Sequence, residues 1–184
     1  MQGQNCVLRP IKPSRNIGKL GKFAVSEYPT SSSPPRWGGV DATANIYLQI
    51  SGVKHLEEIR EAGMETPAIN QIELHPFCQQ KPIVEYCRKH DIVVEAYCPL
   101  IRGKMDHPVL KEVAQKHNRD VAHVLIRWSL QNGFVPLPKS ATPARIHSNT
   151  KVYDFELDED DMKRLDALDQ GKEGAISWNP VDVP

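Results

Sequence analysis

Hydrophobic positions along the chain change character near residue 52. Before it, residues 1–43 show no lasting period and are broken by Pro10, Pro13, Pro29, Pro34 and Pro35. The run Ser31-Ser32-Ser33-Pro34-Pro35 reads as a loop or a disordered linker. At 44–50 the alternation of Ile46, Leu48 and Ile50 predicts a short strand. From there the pattern becomes regular. Leu56 and Ile59 share a face of a helix over 53–62, which Gly63 stops. A strand is predicted over 67–74, a helix over 82–89 carrying Ile83, Val84 and Cys87, and a buried-type strand over 92–97. Helices follow at 108–117 and 121–131, the second placing Val121, Val124, Leu125 and Trp128 on one stripe. Residues 134–137 read as a further strand, weakened by Pro136, which has no N–H for a ladder. A helix starts at Thr142-Pro143, and a last one follows Leu157 with Asp158, Glu159, Asp160 and Asp161 crowding its first turn. That acidic run reads as a solvated helix start rather than a metal site.

Strand and helix thus alternate three times in the regular region, the pattern of a parallel sheet with helices packed outside it. A complete eight-stranded β/α barrel takes about 250 residues. This chain has 184 and offers three or four strands. Periodicity alone leaves a small open α/β sheet and a part of a barrel both open.

Composition adds one asymmetry. The formal net charge is zero, which points to no nucleic acid and no anionic membrane surface as partner. Yet residues 1–51 hold six basic and two acidic residues, and the remainder holds 17 and 21. The expected organisation is an irregular, basic, Pro/Ser-rich segment over 1–51 and a folded portion over 52–184. Scarce acids near the start suggest a mitochondrial transit peptide, but Pro10 and Pro13 oppose the amphipathic helix it needs. The cysteines Cys6, Cys78, Cys87 and Cys98 show no C-x-x-C spacing, and no apolar run reaches the ~20 residues of a membrane helix. The expectation is a cytoplasmic protein with reduced thiols and no bound metal.

The densest chemistry lies at 138–146. Lys139, Ser140, Thr142 and Arg145 bring two cations and two hydroxyls to a strand end and a helix start. Free backbone N–H groups and a guanidinium both favour an anion there, so this stretch is a candidate phosphate pocket. His75 is read as structural rather than catalytic, and Trp128 as core.

Lys139-Ser140-Ala141-Thr142-Pro143-Ala144-Arg145-Ile146, with Asn149 beyond it, resembles the adenosine 2′-phosphate motif of the aldo-keto reductases. Pro67-Ala68-Ile69-Asn70-Gln71-Ile72-Glu73-Leu74-His75-Pro76 and Glu95-Ala96-Tyr97-Cys98-Pro99-Leu100 precede it in family order, and Lys151-Val152-Tyr153-Asp154-Phe155-Glu156-Leu157 follows. The tail Ser177-Trp178-Asn179-Pro180-Val181-Asp182 is most similar to fungal members. This resemblance implies an α/β fold made of the last three to four units of a (β/α)8 barrel. It implies NADP(H) as cofactor, with aldehydes or ketones reduced to alcohols. Lys139, Ser140 and Arg145 would hold the 2′-phosphate, Thr142 would cap the helix below it, and Asn149 would face the adenine. Gln71 would bind the nicotinamide carboxamide, Tyr97 would stack under the ring, and Leu100 would lie along the pyrophosphate. Ser148 and Cys98 depart from the family pattern at an adenine and a pyrophosphate contact. Trp178 is a candidate for lining the substrate pocket.

The family's catalytic set is a tyrosine, a lysine, an aspartate and a histidine on earlier strands. Tyr28 and Tyr47 stand in no recognisable family context, and Ile50-Ser51 replaces an expected Ser-Asn pair. No catalytic residue is assigned. The expectation is a truncated reductase not competent alone. The alternatives are a non-catalytic NADP(H)-binding or interaction protein, and a non-functional product of a frameshift, splice variant or gene-model error.

Overall fold

The computed structural model describes residues 47–49 and 52–177. Expectations for residues 1–46, for Ile50 and Ser51 and for the tail from Trp178 lie outside the described residues. Four strands form one parallel sheet in chain order: β1 (Tyr47–Gln49), β2 (Ile69–Glu73), β3 (Val93–Tyr97) and β4 (Val135–Pro136). A parallel pair needs a long crossover, and helices supply each one. These are α1 (Val53–Glu61), α2 (Lys81–Lys89), and the pair α3 (Pro108–Lys116) and α4 (Val121–Gln131). After β4 come α5 (Pro143–Ser148) and α6 (Glu159–Asp166).

Local chemistry explains the boundaries. Pro82, Pro108 and Pro143 stand in the first turns of α2, α3 and α5, where a missing N–H costs nothing. At the other ends, Gly63 and Gly133 turn the chain with positive φ (68° and 79°) after α1 and α4. Two helix starts use an imidazole: His55 Nδ1 accepts from Gly52 N–H at 3.2 Å, and His123 Nδ1 accepts from Asp120 N–H at 3.4 Å.

The strand predicted at 134–137 is shorter in the structure. Phe134 turns away to pack on Trp128, and its N–H donates to Ser129 O at 3.1 Å, closing the end of α4. Pro136 interrupts the ladder, which resumes as Leu137 N–H donates to Ala96 O at 3.0 Å.

The core lies between the sheet and its helices. Ile72, Val94 and Ala96 pack with Leu56, Ile83, Val84, Leu125 and Trp128. Each large aliphatic group buried there is worth about 2 kcal/mol. Trp128 is buried as expected, and its Nε1–H donates to Asp166 Oδ1 at 2.8 Å, tying α4 to α6. No helix among the described residues is long and apolar enough to cross a membrane.

The acidic start of α6 corrects one expectation. Asp158 caps the helix, accepting from Asp161 N–H at 2.9 Å, and Glu159 and Asp160 are exposed. Asp161 instead turns inward, with its side chain fully shielded, to meet Lys116 at 2.9 Å and His117 at 2.7 Å. Its backbone position puts it on the face that packs on α3, so it cannot be solvated.

Candidate functional site

Parallel register decides which residues share a face. Gln71 pairs with Glu95 and Glu73 with Tyr97, and paired residues of a parallel ladder point the same way. Asn70, on the alternate face, reaches Cys87 of α2 with its Nδ2, 3.7 Å from Sγ. The helices therefore cover the Asn70, Ile72, Val94 and Ala96 face. Gln71, Glu73, Glu95 and Tyr97 occupy the opposite one, with Glu73 and Tyr97 last in their strands. In parallel α/β folds ligands bind at these carboxyl ends.

The residues expected to meet a cofactor fall into two groups. Gln71 and Tyr97 sit on adjacent central strands, both half-buried. The Gln71 amide donates to Glu95 Oε2 at 3.0 Å, an arrangement that fixes the amide's orientation on this face. Burial pushes the Tyr97 phenol up, partly offset by a hydrogen bond with Ser177. Leu100 is half-buried against the core just before a tight turn, Ile101–Gly103. That turn is strained: Cys98, Ile101 and Arg102 all adopt positive φ (52°, 46° and 49°), and Ile101 is β-branched. Buried Ile101 anchors it.

Lys139, Ser140, Thr142 and Arg145 form the second group, in the loop after β4 and the first turn of α5. Ser140 Oγ accepts from Thr142 N–H at 3.2 Å, shaping the turn. Thr142 takes the N-cap position, but its side chain makes no cap hydrogen bond. Lys139 and Arg145 are exposed, and among the described residues neither is joined to a carboxylate. Two cations left unneutralised beside a hydroxyl suit a phosphate dianion. Asn149 ends α5 as its C-cap.

Sequence reading missed the polar cluster at the end of β2. Glu73 is 1% exposed and His75 fully buried, with His75 Nε2 3.0 Å from Glu73 Oε1. Burial works to raise the Glu73 carboxyl. Hydrogen bonds from His75 and from the N–H groups of Ile176 and Ser177 outweigh it and hold the group below its ordinary value. The structural role expected of His75 agrees with this pairing. A glutamate in a strand otherwise buried on both sides was the available signal.

A shallow cavity of about 580 Å³ opens beside this cluster, lined by Phe77, Ile101, Lys104, His107, Gly174 and Ile176 among others. Among the described residues no cluster of His, Cys, Asp and Glu has the makings of a metal site.

Comparison with known proteins identifies the class. The aldo/keto reductase family model matches residues 46–170, and the chain belongs to that family. The match takes in β1 as well as the motifs from residue 67 onward. The chain is 45% identical over 119 residues to the uncharacterized oxidoreductase YtbE of Bacillus subtilis, covering 64% of this chain and 42% of that protein. It is 43% identical over 132 residues to the glyoxal reductase of the same organism, covering 71% and 47%. An uncharacterized oxidoreductase of Schizosaccharomyces pombe is 42% identical over 135 residues, covering 72% and 48%. Among solved structures, apo Gox0644 superposes with a TM-score of 0.71 at 39% identity, over 74% of this chain and 50% of that one. A variant of Gox0644 in complex with NADPH gives 0.69 over the same shares. The fold is thus α/β and TIM-barrel-like, and the chain spans about half the length of the curated relatives it matches.

Proposed function

We propose that this chain supplies the cofactor-binding part of an NADP(H)-dependent aldo/keto reductase site. One observation carries the reading: Gln71 in mid-β2 and Tyr97 at the end of β3 share the face away from the helices, and the Lys139 to Arg145 stretch follows the carboxyl end of β4. In this reading the four strands are the carboxyl-terminal units of the family barrel. The NADPH complex of Gox0644, 39% identical to this chain, supports the choice of cofactor.

Lys139, Ser140 and Arg145 hold the adenosine 2′-phosphate, which distinguishes NADP(H) from NAD(H). Asn149 faces the adenine, Leu100 lies along the pyrophosphate, and Thr142 marks the start of the helix beneath the phosphate. Gln71 orients the carboxamide and Tyr97 supports the ring from below. When bound, the nicotinamide supplies hydride to the carbonyl carbon of an aldehyde or ketone. An acid must then protonate the developing alkoxide. We assign no residue among 52–177 to that role, so the reading predicts binding of the cofactor without turnover by these residues alone.

Calorimetry decides between readings. NADPH binding, weakened in Lys139→Ala and Arg145→Ala, is the expected result, and absence of binding at high ligand concentration sinks it. An assay with a reactive aldehyde, read by nicotinamide absorbance, tests the second part. Oxidation of NADPH by the purified chain would show that an acid is present after all.

A further inference from the structure

Glu73 ends β2 level with Tyr97 on β3, on the face away from the helices. A carboxylate so far from water is costly unless donors fill its oxygens. Oε1 accepts from His75 Nε2 at 3.0 Å and from Ile176 N–H at 2.6 Å, and Oε2 accepts from Ser177 N–H at 3.0 Å. Two of these three donors are consecutive backbone groups far along the chain, in a segment with no regular structure of its own. The same Ser177 hydrogen-bonds the Tyr97 phenol. His75 Nδ1, buried, has no hydrogen-bond partner among the described residues, so the ring's polar role is the bond to Glu73.

A buried carboxylate, even one filled with donors, is a poor source of stability compared with hydrocarbon of the same volume. What a carboxylate does, and an apolar side chain cannot, is fix two successive N–H groups in one register. Apolar contact would let the segment slide.

We propose that Glu73, braced by His75, is a positioning residue that seats Ile176 and Ser177 against Tyr97, making this segment one wall of the nicotinamide pocket. The inference rests on the NADP(H) reading above. Glu73 touches neither cofactor nor substrate and acts only through the segment it holds.

The test uses the full chain, Glu73→Gln and Ser177→Pro. The second variant deletes one N–H donor to the carboxylate together with the hydroxyl that meets Tyr97, and leaves the buried carboxylate in place, so a folding defect in the first does not decide the matter. Backbone amide exchange reports the clamp, and titrations with NADPH and with adenosine 2′,5′-bisphosphate, which lacks the nicotinamide end, report the pocket. Exchange at residue 176 speeds up in both variants, and NADPH binds about tenfold more weakly, the loss expected from one charge-assisted hydrogen bond. Affinity for the bisphosphate stays the same. Unchanged exchange in both variants overturns the clamp. NADPH binding equal in the chain and its variants, or an equal loss for both ligands, overturns the wall role alone. NADPH that fails to bind the unaltered chain overturns the cofactor reading and the wall role with it.

Discussion

Asp161 and His117 meet at 2.7 Å between α6 and α3, with the carboxylate wholly shielded from solvent. Burial opposes ionisation of Asp161, yet hydrogen bonds from His117 and Lys116 leave its carboxyl below the ordinary value. Its neighbour Asp158, bonded to Lys116, is brought down to about 2. A carboxyl depressed by folding contributes stability that is complete above its unfolded value, about 3.9 for aspartate, and lost as pH falls through the folded one. Urea unfolding should therefore be nearly insensitive to pH between about 5 and 7 and weaken steeply below about 4. Asp161→Asn should cost about 2 kcal/mol at neutral pH and flatten the acid slope. An unaltered slope in that variant would place the acid sensitivity elsewhere.

Trp128 offers a separate check on the core. Trp128→Phe keeps most of the apolar contact but removes the 2.8 Å bond to Asp166. The expected loss is about 1–2 kcal/mol, against about 3–5 kcal/mol for Trp128→Ala, where a cavity opens as well. Denaturant titration of the two variants separates the contributions.

Thiol reactivity maps burial directly. Burial, helped by the Glu73 and Asp169 carboxylates, pushes the Cys78 thiol up to about 12, and burial raises Cys87 as well. Cys98 is half-exposed in the strained turn after β3. Iodoacetamide at mildly alkaline pH should modify Cys98 well before Cys78 and Cys87, which react only in denaturant. Peptide mapping by mass spectrometry reads the order.

Gly174 marks a point of close approach. A Cβ built there would lie 1.8 Å from Phe77 O, a backbone atom that also accepts from Gln170 N–H at 2.9 Å. Gly174→Ala should lower stability by about 1–3 kcal/mol, because backbone rather than a side-chain tip must move. A stability equal to that of the unaltered chain would show that the 170–176 segment shifts freely.

Lys139 and Arg145 are predicted to act through charge. Each alanine substitution should weaken NADPH binding by roughly tenfold to a hundredfold and NADH binding far less. Comparing the two nucleotides by calorimetry gives the selectivity directly.

Much of this was readable from local signals. Prolines in first turns mark the starts of α2, α3 and α5, glycines mark the ends of α1 and α4, and the stripe through Trp128 announces a buried helix. The Lys139 to Arg145 stretch was legible because its groups are neighbours in sequence. Glu73 was not, because its partners Ile176 and Ser177 contribute backbone N–H groups that every residue carries. Asp161 looked like its acidic neighbours until the packing of α6 on α3 turned it inward. The bond between Gln71 and Glu95 likewise depends on strand register, which periodicity does not set.

The grip of Glu73 on Ser177 spans 104 residues of chain. Closing a loop of that length carries an entropic cost, set against these hydrogen bonds and the packing of Ile176 on the core. Docking of this segment needs the β2–β3 pairing that builds its seat, and is expected to follow it. Its release is expected as a local opening that leaves the sheet and its helices intact.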